Sequence, residues 1–205
     1  MNFLDLSDPR DRTLHGILRR QAEAIPDATY LWVDDAKISY AEVEARAHAW
    51  AAALRELGVA RGDSVAFLLE SGPEFVYATF GCLQIGAIWI PVNVDYRGAW
   101  LRATLEDAAA RVLIVDAELV PRVAELGAGL PFEHAIVVGS VSKGALPWPM
   151  LPAADVAKRV GRVAAPEDPA APRWTLSRTV IEASFVAIAS LTLLDLWANF
   201  IGPIV

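Results

Sequence analysis

Between residues 13 and 139 short runs that are apolar throughout alternate with longer stretches of helical periodicity. No other feature constrains the fold of this chain as tightly. The apolar runs cover 65–69, 87–92, 112–115 and 135–138, and each is strand-length. A strand that faces water on one side alternates apolar and polar residues, whereas these runs demand cover on both faces. The intervening segments 73–85, 97–108 and 117–126 read as amphipathic helices, the last bent or broken at Pro121. The pattern therefore predicts an α/β fold: a mainly parallel sheet with helices on both faces.

Local signals sharpen the boundaries. Leu14, Ile17, Leu18 and Ala22 fall at helical spacing over 13–24, with Thr13 as the cap and Pro26 beyond the end. Residues 28–33 and 37–40 read as a hairpin turning at Asp34-Asp35. Ser39 and Glu42 have the spacing of a reciprocal capping box. The helix they open runs to about Leu57 and stops at Gly58, and Gly86 stops the helix that starts at Pro73. Arg61-Gly62-Asp63 is a tight turn. Prolines deny regular structure to Pro147-Trp148-Pro149-Met150-Leu151-Pro152, which reads as a loop.

Composition excludes several classes. With 205 residues, 55% of them hydrophobic, and a mean hydropathy of +0.35, the chain is neither disordered nor short of a core. A net charge of −7 offers no basic stripe, so nucleic acid is not expected as a partner. Cys82 is the single cysteine, which rules out an internal disulfide and a cysteine zinc site and fits a reducing, cytoplasmic setting. Acids rather than bases open the sequence, unlike a secretory signal.

Residue chemistry alone nominates no catalytic or metal site. His15, His48 and His134 lie in separate elements with no carboxylate or cysteine at ligand spacing. Cys82, on a helix beside Val76, Phe80 and Leu83, reads as a small core residue rather than a nucleophile. Gly127-Ala128-Gly129 lacks the third glycine and following helix of a dinucleotide loop and reads as a turn. The acid pairs Asp34-Asp35, Glu106-Asp107 and Glu167-Asp168 do not face one point. No Gly-x-x-x-x-Gly-Lys-Ser/Thr loop and no Gly-x-Ser-x-Gly elbow occurs.

Four phrases in order resemble the N-terminal part of AMP-forming acyl-CoA synthetases, members of the adenylate-forming superfamily, over about 13–171. Ser39-Tyr40-Ala41-Glu42-Val43 resembles the family's (S/T)YxEL helix start, and Leu57-Gly58-Val59-Ala60-Arg61-Gly62-Asp63-Ser64-Val65-Ala66 its LGV-x-x-GD-x-VA turn and strand. Ser71-Gly72-Pro73-Glu74-Phe75 resembles NSPEF, with Ser71-Gly72 in place of asparagine and serine. Leu83-Gln84-Ile85-Gly86-Ala87-Ile88-Trp89-Ile90-Pro91-Val92-Asn93 resembles the first core motif, LKAGA-x-x-VP-x-N.

The resemblance implies the N-terminal subdomain of the adenylate-forming fold. For the intact family it implies a two-step ligation using ATP, Mg and CoA. ATP and a carboxylic acid give an acyl-adenylate and pyrophosphate, and CoA thiolate then displaces AMP. The family's phosphate loop, magnesium-binding glutamate, ribose-binding aspartate and catalytic lysine have no counterpart in this sequence. This chain alone is accordingly expected to bind no cofactor and to be inactive. Trp89, Tyr96 and Trp100 are not assigned to an acyl pocket. Asn93 and Arg97, nearest to a CoA-side edge, read instead as a loop cap and a solvated charge.

The resemblance stops near Pro172, so the expected organisation is an incomplete ligase subdomain over 1–163, a linker over 164–173 and a non-homologous apolar tail over 174–205. Residues 173–205 carry only Arg173, Arg178, Glu182 and Asp195 as charges. The favoured reading of the tail is truncation or a reading-frame change. Codons for Arg178-Thr179-Val180-Ile181-Glu182-Ala183 exist that read Gly-Pro-Ser-Ser-Lys one nucleotide out of frame. An alternative makes the chain a non-catalytic binding module held at a membrane through 183–205. That span is long enough if helical, but Asp195 costs about 2.5–3.5 kcal/mol against roughly 0.3–0.6 gained at each Leu, Ile, Val or Phe. A third reading packs 179–199 as a helix on the domain's own face. A fragment of this kind is also expected to expose apolar surface and to self-associate.

Overall fold

The computed structural model describes residues 12–158. The linker and tail readings for 164–173 and 174–205 lie outside the described residues, as do Glu167-Asp168 and the span 183–205.

Helix α1 (Leu14–Ala24) starts where Thr13 accepts the Gly16 amide. Strands β1 (Thr29–Val33) and β2 (Ala36–Ser39) form an antiparallel hairpin. Ser39 then opens α2 (Tyr40–Glu56) with the complete capping box: its hydroxyl accepts the Glu42 amide, and Glu42 Oε2 accepts the Ser39 amide. The remaining elements are β3 (Ser64–Leu68), α3 (Pro73–Ile85), β4 (Ile88–Pro91), α4 (Gly98–Asp107), β5 (Val112–Asp116), α5 (Val120–Glu125), β6 (His134–Val138), β7 (Met150–Pro152) and α6 (Ala153–Ala157). Gly58 and Gly86, at φ +81 and +73, end α2 and α3 in the left-handed conformation that glycine adopts without Cβ strain.

Strands β3 to β7 form one sheet in the order β4-β3-β5-β6-β7, with every neighbouring pair parallel. Alternate residues of its central strands feed two separate cores. Val65, Phe67, Val112, Ile114 and Ile136 point to a layer containing residues of α1, α2, α3 and α6. Ala66, Leu68, Leu113, Val115, Ala135 and Val137 point to a second layer built by α4, α5 and the loops carrying Leu130, Phe132 and Leu146. This two-sided burial is why the strands read as unbroken apolar runs.

Two sequence expectations change. The 147–152 segment is not wholly irregular, because Met150–Pro152 forms β7 and α6 follows it. An edge strand pairs on one side only, so the sheet tolerates Pro152 where an interior strand would lose a ladder bond. The predicted 117–126 helix is a 3-10 turn over Ala117–Leu119 followed by α5. Its break precedes Pro121, which sits in the first turn of α5, where a missing amide hydrogen costs nothing.

Candidate functional site

In an open parallel sheet, ligand crevices form beyond the carboxyl ends of strands where successive crossovers leave in opposite directions. Here the chain passes from β3 out to β4 and then across to β5, so the switch lies between β3 and β5. A crevice of about 480 Å³ opens at these ends, lined by Glu70 after β3, Asp116, Ala117, Glu118 and Leu119 after β5, and Val138, Gly139 and Ser140 after β6. The Glu70 amide donates to Asp116 Oδ2 at 2.6 Å and ties the two strand ends together. Burial pushes the Asp116 carboxyl above its usual range, the Glu70 amide pulls it back, and the Glu118 charge adds to the rise. Gly139 has φ +94, and a Cβ there would lie 3.1 Å from Ala117 Cβ. Sequence reading nominated none of Glu70, Asp116, Glu118 or Ser140. The signal available was their position one to three residues beyond an apolar run.

The chemistry of this crevice follows from its charges. Glu70, Asp116 and Glu118 bring three carboxyl groups, and no lining residue is basic. Such a wall repels phosphates. Among the described residues, no grouping of three or more His, Cys, Asp or Glu side chains is placed to hold a metal ion. The donor set therefore does not fit a nucleoside triphosphate with its magnesium.

The motif residues act in packing and turns. Gly72 precedes α3, Pro73 occupies its first turn, and Glu74 Oε2 accepts the Trp50 indole N–H at 3.0 Å. Burial raises the Glu74 carboxyl, and the indole bond opposes that rise. Phe75, Phe67 and Trp89 form a mutual ring cluster, so Trp89 belongs to the core side of the sheet. Asn93 Oδ1 accepts the Asp95 amide at 2.8 Å, a loop cap, and Arg97 is exposed at the start of α4. Tyr96 and Trp100 are exposed, Trp100 at 77%. Asp63 Oδ2 accepts the Ala60 amide, closing the turn before β3.

The other candidates also separate. Cys82 is fully buried, and burial drives its thiol pKa far upward, away from nucleophilic use. Gly127 and Gly129 sit in a turn at φ +74 and +99, where Arg102 donates to the Leu126 and Ala128 carbonyls. Asp34 holds the hairpin turn at φ +51, and Glu106 pairs with Arg102. His15 and His48 lie on α1 and α2, while His134 opens β6.

This architecture has relatives. A family model described as "AMP-binding enzyme" matches residues 18–175. The chain belongs to the AMP-binding enzyme family. Tyrocidine synthase 3 of Brevibacillus parabrevis is 33% identical over 121 residues, 59% of this chain and 2% of that protein. The 3-hydroxybenzoate/4-hydroxybenzoate CoA ligase of Thauera aromatica is 32% identical over 120 residues, 58% of this chain and 23% of the ligase. Among solved structures, the anthranilate CoA ligase AuaEII in complex with anthranoyl-AMP superposes with a TM-score of 0.67 at 26% identity, covering 75% of this chain and 29% of that one. The chain thus spans less than a third of each of these relatives, and its fold is that of the N-terminal domain of adenylate-forming enzymes.

Proposed function

We propose that this chain supplies the N-terminal αβ portion of an AMP-dependent acid-CoA ligase and that by itself it catalyses neither step of the ligation. In the complete reaction a carboxylate oxygen attacks the α-phosphorus of ATP and expels pyrophosphate. The CoA sulfur then attacks the acyl carbon and expels AMP. Both steps develop charge that preorganised donors must stabilise. The observation that carries the proposal is the acidic wall of the switch-point crevice in a chain that belongs to the AMP-binding family. Glu70, Asp116 and Glu118 offer acceptors where triphosphate binding needs donors. The residues of the four motifs cap helices, close turns and fill the core, which suits a scaffold.

The substrates on this reading are a carboxylic acid and CoA. Hydroxybenzoates and anthranilate head the panel because they stand in the names of relatives. The reading places the chain in the cytoplasm, where ATP and CoA are available and the Cys82 thiol stays reduced.

Two measurements test it. In ATP–pyrophosphate exchange with aromatic and fatty carboxylic acids, the chain alone is expected to give background, and robust exchange overturns the inactivity. Grafting residues 18–158 in place of the matching segment of the Thauera aromatica ligase is expected to leave a folded, active chimera. A chimera that folds but makes no aryl-CoA removes the scaffold reading.

A further inference from the structure

The junction of α1, α2 and α3 holds a polar cluster, buried at Glu44 and part-buried at His48 and Gln84, that neither the crevice nor the turn motifs use. Glu44 is 9% exposed and lies one helical turn before His48 on α2. His48 Nδ1 is 3.0 Å from the Glu44 backbone carbonyl. A carbonyl only accepts, so Nδ1 carries the hydrogen, and in the neutral ring Nε2 is a bare lone pair. His48 Nε2 lies 3.6 Å from Glu44 Oε1, just beyond hydrogen-bond distance. A bare lone pair and an ionised carboxylate that close repel, and a proton on one of them removes the repulsion. From α3, Gln84 Nε2 donates to Glu44 Oε2 at 3.5 Å, while Gln84 Oε1 is buried with no partner. From α1, Arg19 and Glu23 act on Glu44 with opposite sign, and Arg19 also acts on His48.

We propose that Glu44 and His48 hold a single proton as a neutral acid–imidazole pair, moved from the ring to the carboxyl group as the three-helix junction forms, which shields the junction from mildly acidic pH. In the open chain between about pH 4.5 and 6.5 the imidazole is protonated and the carboxylate ionised. On closure the Nε2–H bond breaks and an Oε1–H bond forms, with no proton gained from or lost to solvent. Burial favours this neutral arrangement: it pushes His48 down and raises Glu44 to about 7.

The linkage signs oppose each other. Glu44, raised in the folded state, contributes stability that is fully present below its unfolded value and is lost as pH rises toward about 7. His48, depressed in the folded state, contributes stability that is present above its unfolded value and is lost as pH falls through its folded one. Across the shared window the folded and open junctions bind the same number of protons, so the two slopes cancel.

Single variants unmask each slope. Urea unfolding of the full chain from pH 5 to 6.5 gives the folded-to-unfolded ratio. Relative to wild type, Glu44→Gln is expected to make that ratio rise with pH by up to tenfold per unit, and His48→Asn to make it fall by up to tenfold per unit. Variants whose slopes both match wild type overturn the pair. Nitrogen NMR of the wild-type chain reads His48 directly and needs no variant. At pH 6 it is expected to be neutral with the hydrogen on Nδ1, and a ring protonated on both nitrogens overturns the proposal.

Discussion

Ala109 shows how a single residue can hold stored strain in this chain. It follows α4 at φ +45, a conformation that sets Cβ against its own backbone and that glycine enters freely. Its neighbours Ala108 and Ala110 are buried, so the turn cannot relax by swinging outward. Ala109→Gly is expected to stabilise the fold by about 1 kcal/mol, after the larger unfolded-state entropy of glycine offsets part of the relief. Urea midpoints of the two chains measure it. Nearby, Arg111 joins three segments, pairing with Glu133 at 2.7 Å and Asp63 at 3.7 Å and donating to the Gly58 carbonyl. The hydrogen bond to Glu133 and its charge hold the Arg111 guanidinium above its usual pKa, and the bond to Arg111 holds the Glu133 carboxyl below its own. These groups are open to solvent, so the pair fixes geometry more than it adds stability.

At the scale of elements, the close crossing of α2 and α3 organises one face of the sheet. A Cβ at Gly81 would meet Trp50 Cβ at 2.7 Å, the Ala51 amide nitrogen at 3.0 Å and the Ala47 carbonyl oxygen at 3.2 Å. Only a residue without a side chain allows this approach, and Ala47, Ala51 and Ala53 keep the facing helix slim. Gly81→Ala must push the helices apart, and overpacking of this kind costs roughly 1–3 kcal/mol. A lowered urea midpoint, with crevice residues Glu70 and Asp116 undisturbed in NMR spectra, is the expected outcome. The Trp50–Glu74 bond crosses the same seam, which gives the acidic residue of the third motif a packing role. On the opposite face, Arg122 donates to the Val94 carbonyl and Arg102 caps the turn after α5, so arginine side chains tie these loops to the helices.

For the whole molecule, the exposed apolar side chains matter most. Trp100 is 77% exposed, Leu14 66% and Trp32 62%, the last carrying Lys37 Nζ 4.5 Å from its ring centroid. Large aromatic rings left in water favour association. Sedimentation of the full chain is expected to show a weight-average mass that rises with concentration, and Trp32→Ser with Trp100→Ser is expected to reduce that rise. An unchanged profile assigns association, if present, to other surfaces. Among the described residues no helix is long and apolar enough to cross a membrane.

Sequence alone determined strands β3 to β6, helices α3 and α4 and the caps at Thr13, Ser39, Gly58 and Gly86, because periodicity, reciprocal capping and left-handed glycine are decided within a few residues. It also exposed the family resemblance, since those same turn and cap residues make up the motifs. Tertiary structure decided the rest. Met150–Pro152 is a strand only because β6 offers it an edge. Glu70 and Asp116, 46 residues apart in the chain, share a hydrogen bond only because β3 and β5 are neighbours. Glu44, His48 and Gln84 form one cluster only because α2 and α3 cross where Gly81 leaves room. Local pattern fixes what each segment becomes and sets Glu44 one turn from His48, but a crevice, or the burial of that pair, depends on packing among segments far apart in the chain.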